Sequence, residues 1–324
     1  MKIAEEVCVL LRRQLWTMTT TMQQTIRSEI HFSGIGLHSG KNVHLTIQPA
    51  PADHGIVFHV IQDGRRRAVI PAVAAHTGAL AYNTSLQGDG IQIQTVEHLL
   101  SALHGYGVDN AIISIDSTEI PILDGSATAI VYLLAEAGLD VQTTPRNRHR
   151  LMKSVRIGDS SAWIEASPVS GNTLVVDYSI DFPHPAIGAM RMEYRHDALN
   201  YVHALSPART FGFLREVEYL QKQGLIRGAT LDNAIVLDDT RIISGDLRFP
   251  NEFVRHKILD FIGDISLLGF HLIAQVRAHK AGHKLHAQLV QSLLASPECF
   301  VPAQEDEPAS EIIYMPFGQE ALVG

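Results

Sequence analysis

The chain has 324 residues, enough for two ordinary domains with a core of their own. It is 46% hydrophobic, and its 26 basic residues against 34 acidic ones give a formal charge of −8, which excludes a protein that grips nucleic acid through a basic face. Two cysteines, Cys8 and Cys299, leave no disulfide framework or thiolate metal cluster and fit a reducing cytoplasm, while 17 histidines make imidazole the residue type to follow.

No apolar run approaches membrane-spanning length, so no stable membrane insertion is expected. Residues 1–21 read as a leader or disordered extension. "VCVLL" (Val7 to Leu11) is short for a signal-peptide core, follows Glu5 and Glu6, and precedes Arg12 and Arg13; Met22 reads as a natural start. From Gln23 to Ile115 strand patterns dominate: "KNVHLTIQPA" and "HGIVFHVIQ" alternate and are broken by Pro and Gly turns. "TVEHLLSALHGYGV" is a helix with Thr95 as candidate N-cap and Gly105 or Gly107 as its end, and "DNAIISID" is a buried strand. "DGSATAIVYLLAEAGL" is a second helix, capped near Asp124 or Ser126 and stopped at Gly138. "TTPRNRHR" (Thr143 to Arg150), polar and Pro-containing, is the best domain boundary.

The second half repeats the order. Strands "SVRIGDSSAWIEASP" and "TLVVDYSIDF" precede a helix in "REVEYLQKQGL" and a strand in "DNAIVLDD". A helix in "FVRHKILDFIGDISLLG", a strand in "FHLIAQVRAHKAG" and a helix in "HKLHAQLVQSLLAS" complete it. The fold class is therefore α+β: two similar layered sheet-and-helix domains, an N-terminal one over 22–144 and a C-terminal one over 145–296. The pentapeptides "DNAII" and "DNAIV" are weak evidence of duplication. Residues 297–324, rich in Pro and Glu, read as a tail.

Two motifs invite chemistry and fail. "GIGLHSGKN" (Gly34 to Asn42) has Ile35, Ser39 and Asn42 where phosphate-loop or dinucleotide spacings need other residues, so it reads as a tight turn. "HKAGHKLH" is broken by Gly282, which leaves one functional histidine, His283, rather than a three-ligand tract.

One constellation survives. Val254, Ile258, Phe261, Ile262 and Ile265 form an apolar helix face, yet His256, Asp260 and Asp264 recur every four residues beside it. His256 and Asp260 converge across one turn, and charged groups near a core are costly unless paired or bound to a cation. In "TVEHLL", Glu97 and His98 are adjacent and diverge by roughly a quarter turn, so that one can ligate a metal while the other reaches its open position. Two imidazoles, a carboxylate and a water are the donor set of a hydrolytic zinc site, although the HExxH signature is absent.

In this order, "TVEHLLSALHGYGVDNAIISIDSTEIPILDGSA", "SPARTFGFLREVEYLQKQGL", "EFVRHKILDFIGD" and "HKAGHKLH" resemble the UDP-3-O-acyl-N-acetylglucosamine deacetylase family of lipid A biosynthesis, from "SEIHFSGIGLHSGK" to about Leu294. The resemblance implies a cytoplasmic, monomeric zinc amidase of a Gram-negative bacterium, with one Zn2+ per chain and its active site between the domains. It would hydrolyse the acetamide of UDP-3-O-((R)-3-hydroxyacyl)-N-acetylglucosamine to the free amine and acetate, the committed step of the pathway. It implies metal ligands His98, His256 and Asp260; catalytic Glu97 (base), His283, Asp264 (holding His283), Thr210 and Lys257; and substrate contacts Phe211, Phe213, Asp181, Phe182 and Lys280. It also implies an acyl-chain insert near 211–239. Two rivals make separate demands: a general sugar deacetylase would not need UDP or the acyl chain, and a metal-stabilised binding protein would close the site with a fourth protein ligand.

Overall fold

The computed structural model describes residues 21–80, 83–217 and 226–303. The first half builds a five-stranded sheet from β1 (Ile30–Ile35), β2 (Asn42–Pro49), β3 (Ile56–Gln62), β4 (Arg65–Pro71) and β5 (Ala111–Ile115), in the order β1-β2-β5-β3-β4. Helix α1 (Glu97–Tyr106) precedes β5 and α2 (Thr128–Ala137) follows it. The second half has β6 (Val155–Gly158), β7 (Trp163–Ser167), β8 (Val175–Phe182), β9 (Gly188–Arg195) and β10 (Gln275–His279), in the order β6-β7-β10-β8-β9. There α3 (Glu252–Ile265) precedes β10 and α4 (His283–Leu294) follows it. The two sheets share one topology. In each, the last strand enters the middle, parallel to the third strand and antiparallel to the second. The parallel pair needs a crossover, and α1 and α3 are those crossovers.

This is the duplication, and it does not rest on the matching pentapeptides. "DNAII" lies in β5, whose topological partner is β10, whereas "DNAIV" belongs to Ile235–Leu237, a short strand paired in parallel with Phe211–Phe213. The predicted helix "REVEYLQKQGL" falls mainly on 218–225, outside the described residues. The 36–41 turn of "GIGLHSGKN" joins β1 to β2, paired as Ile35 with Asn42, and supports part of the 211–239 segment: Arg227 and Gly228 donate backbone N–H groups to the His38 and Leu37 carbonyls.

Three local readings change. Thr95 does not cap α1: its backbone is left-handed at φ 60°, its hydroxyl is buried without a partner, and Val96 occupies the cap position. Gly107 ends α1 at φ 95°, a conformation that a side chain would strain. The boundary segment "TTPRNRHR" is paired strand on both sides, Leu139–Pro145 with Met22–Ile26 and Arg148–Leu151 with His271–Ile273. Between them Arg146 reaches Asp109 at 2.9 Å, and Asp109 takes His271 at 2.7 Å. The beginning of the segment read as a tail also packs, because Phe300–Pro302 pairs with Arg148–Leu151 and Cys299 is buried; residues 304–324 lie outside the described residues.

The crossovers pack on each other. Ser101 of α1 donates its hydroxyl to the Leu259 carbonyl of α3 at 2.8 Å, and a Cβ at Gly263 would overlap the Glu97 carbonyl. Only glycine permits this approach, which sets the first turn of α1 against the polar rail of α3. Gly263→Ala is therefore expected to push α1 away, with an overpacking cost of about 1–3 kcal/mol. Thermal denaturation should show a lower melting temperature, and an unchanged one would mean that the helices part without penalty.

Candidate active site

The first turn of α1, the rail of α3 and the start of α4 meet at a cleft of about 500 Å3. Its lining includes Glu97, His98, Thr210, Phe211, Phe213, His256, Lys257, Asp260 and His283, with Phe182 from the end of β8. Asp264 stands behind His283. Asp181 and Lys280 do not line the cleft; they pair with each other at 2.9 Å, one residue away from Phe182 and Ala281, which do.

His98 Nε2 and His256 Nε2 stand 3.5 and 3.3 Å from Asp260 Oδ1, and the three donor atoms lie within 4.8 Å of one another. Asp260 Oδ1 is buried and accepts no hydrogen bond, although a buried polar atom ordinarily has a partner. His256 Nδ1 lies 3.1 Å from the Ala208 carbonyl, which can only accept, so the proton sits on Nδ1 and the Nε2 lone pair faces Asp260. Burial first, and the neighbouring His98 and Lys257, depress the His256 pKa to about 3 against the pull of Asp260, which keeps this imidazole neutral. For Asp260 burial opposes the anion, but the positive groups around it, among them Lys257, whose Nζ is 2.6 Å from Oδ2, hold its pKa well below the usual range. A neutral imidazole and an orphaned carboxylate oxygen beside a second imidazole fit a metal ion. Among the described residues this group contains three donors and no fourth.

The remaining groups beside this cluster are ionisable. Glu97 is 4% exposed, and burial raises its pKa although His283 and His98 pull it down. Its Oε2 accepts the backbone N–H of Thr84 at 3.0 Å. His283 donates Nδ1–H to Asp264 Oδ2 at 2.7 Å. Burial works against the His283 cation, but Asp264 first, then Asp260 and Glu97, override it and raise the pKa to about 9.

Two neighbours went unread in the sequence. His286, fully buried, donates to the same Asp264 oxygen at 2.8 Å, so the "HKLH" tract brings two histidines to Asp264 instead of the expected one. Its three-residue spacing from His283 on α4 was the available signal. Thr84, whose hydroxyl donates to Asp264 Oδ1 at 2.6 Å, gave none. On the apolar side the Phe182 ring lies 5.5 Å from Phe211 and 6.0 Å from Phe213.

A buried carboxylate of raised pKa beside an open-sided cluster of side chains that could hold a metal suits a hydrolase that activates water. The family defined as UDP-3-O-acyl N-acetylglycosamine deacetylase matches residues 23–295, and this chain belongs to it. It is 44% identical over 287 residues to the UDP-3-O-acyl-N-acetylglucosamine deacetylase of Photobacterium profundum, covering 86% of this chain and 92% of that one. The same-named protein of Haemophilus influenzae is 44% identical over 291 residues (88% and 94% covered), and that of Pasteurella multocida 43% over 303 residues (92% and 97%).

If His98, His256 and Asp260 form the metal site, His256→Ala leaves two ligands and should lose stoichiometric divalent metal, as read by elemental analysis of the purified protein. Full occupancy in that variant would remove His256 from the ligand set.

Proposed function

We propose that this chain is a zinc-dependent deacetylase of UDP-3-O-((R)-3-hydroxyacyl)-N-acetylglucosamine, yielding the free amine and acetate. The observation that carries the reading is a raised, buried Glu97 next in sequence to His98 and beside the orphaned oxygen of Asp260. His98, His256 and Asp260 would hold the zinc. When bound there, it would supply Lewis acidity, lowering the pKa of water towards about 7 and favouring charge on the amide oxygen.

This chain's residues do the rest. The Glu97 carboxylate, whose proton affinity burial increases, takes the proton of the attacking water. The Thr210 hydroxyl donates to the carbonyl oxygen as it gains charge. His283, cationic through Asp264, donates its Nε2 proton to the nitrogen as the C–N bond breaks, so the amine leaves neutral and acetic acid remains; the acid returns its proton to His283 as it departs as acetate, and Glu97 passes its proton to the amine. Lys257 holds Asp260 Oδ2, leaving Oδ1 for the metal. Phe182, Phe211 and Phe213 give the cleft an apolar wall for the acyl chain, and Asp181 and Lys280 at its rim suit the uridine and diphosphate. No helix among the described residues is long and apolar enough to cross a membrane, and the sparse cysteines support a cytoplasmic setting.

The pH profile follows from His283. The reaction needs it protonated, and its pKa is raised to about 9, so activity persists to alkaline pH and falls as pH passes that value. Asp264→Asn removes the leading source of that elevation while burial remains. The alkaline limb of kcat/KM should move to lower pH, and an unmoved limb would show that His283 is not the titrating acid.

The substrate assignment is tested with acetate release from acylated, deacylated and UDP-free substrates. Burial of the chain is worth about 0.8 kcal/mol per methylene, so shortening it should lower kcat/KM progressively. Phe213→Glu should erase the difference between long- and short-chain substrates. Equal kcat/KM for acylated and deacylated substrates would rule out the apolar passage, and equal activity on free N-acetylglucosamine would point to a general sugar deacetylase.

A further inference from the structure

Thr84 precedes the short strand Leu86–Gly88 and is 2% exposed. Its backbone N–H donates to Glu97 Oε2 at 3.0 Å, and its carbonyl accepts the N–H of Val96, just before α1, at 3.1 Å. Its hydroxyl donates to Asp264 Oδ1 at 2.6 Å, and the same oxygen stands 3.1 Å from His283 Nδ1. One residue therefore touches the base on α1, the carboxylate on α3 and the acid on α4.

We infer that Thr84 is a positioning residue that ties the proton acceptor of this site to its proton donor. The inference rests on the deacetylase reading, because it assigns Thr84 a part in that reaction. The Asp264 carboxylate has two sides. Oδ2 receives the Nδ1–H groups of His283 and His286, and Oδ1 receives the Thr84 hydroxyl. Three donors from three directions fix the carboxylate plane, and with it the direction in which His283 presents Nε2–H. Without the hydroxyl, Oδ1 becomes a buried acceptor lacking its donor, and the carboxylate turns to recover one. The imidazole turns with it, away from the departing nitrogen. Glu97 is held by the Thr84 main chain, so side-chain changes at position 84 disturb the acid and spare the base.

That division defines the experiment on the full-length, zinc-loaded enzyme. Thr84→Val keeps the shape and deletes the hydroxyl. It should lower kcat about tenfold, the scale of one hydrogen bond to a charged group, with KM and zinc stoichiometry unchanged. Thr84→Ser should restore most of the rate, which a role in packing alone would not produce. Should Thr84→Val not fold, Thr84→Ser against Thr84→Ala makes the same comparison with one hydroxyl of difference. In 15N-histidine-labelled protein, the Nδ1–H proton of His283, identified by its loss in His283→Gln, should shift in Thr84→Val and stay in place in Thr84→Ser. An unchanged kcat in Thr84→Val, no recovery in Thr84→Ser, or an unmoved proton would overturn the inference. If the unmodified enzyme releases no acetate while this proton responds as described, the deacetylase reading fails and the Thr84 link to His283 stands.

Discussion

The site depends on keeping one carboxylate, that of Asp260, out of water with an oxygen that nothing donates to. A buried anion is tolerated only when its surroundings replace hydration. Here Lys257 satisfies Oδ2 from one turn away, His256 brings a lone-pair nitrogen towards Oδ1, and His98 Nε2 stands 3.5 Å from the same oxygen. A lone pair facing a carboxylate oxygen repels it unless something positive lies between them. The arrangement makes sense as a socket for a cation and costs stability in any other capacity, because an unsatisfied acceptor at the centre of a domain seam serves no packing purpose.

The duplicated fold explains how the socket is assembled. Each half sends a crossover helix to the seam, and α1 and α3 occupy the same place in two copies of one topology. They have diverged into complementary parts: α1 brings Glu97 and His98 on its first turn, the proposed base and ligand, and α3 brings the rail. Gly263 lets the two backbones come close enough for these parts to meet, with the Ser101 hydroxyl on the Leu259 carbonyl fixing the helices' relative position. A cleft between duplicated halves also leaves room for specificity to be added at one edge, which is where Phe211–Phe213 pairs with Ile235–Leu237.

What could be read from the sequence was what helix geometry makes local. His256, Asp260 and Asp264 share a face because 3.6 residues complete a turn, and Glu97 and His98 diverge for the same reason. The α+β class and the turn in "GIGLHSGKN" followed from alternation and from Gly placement. Contacts made by tertiary approach could not be read in this way. Nothing in the sequence around Thr84 says that a loop will bend against α3 and α4, and the Ala208 carbonyl that fixes the His256 tautomer is a backbone atom that any residue type could supply. Thr95 misled because a cap preference assumes extended backbone, and here it is left-handed. "DNAII" and "DNAIV" were weak evidence because five similar residues say less about duplication than the order of strands in a sheet.

Charge connects the socket to the reaction. Glu97, Asp260 and Asp264 are three carboxylates against two cations, Lys257 and the raised His283, so the cluster by itself carries a net charge of about −1 when all are ionised. A cleft of that sign would repel a substrate bearing a diphosphate and would oppose the anion that forms as an amide becomes tetrahedral. A divalent cation reverses the sign to about +1, and the same cleft then attracts both. The acidic excess is therefore matched to a metal of charge two, and proton transfer from water to Glu97 leaves the total unchanged because the proton stays within the site. Asp264 gives the arrangement its asymmetry. Spending one carboxylate on His283 keeps a cation there, which in the proposed reaction would be the leaving-group side, with Asp260 and Glu97 towards the metal and the water, so that base and acid would stay distinct although their side chains share one small buried space.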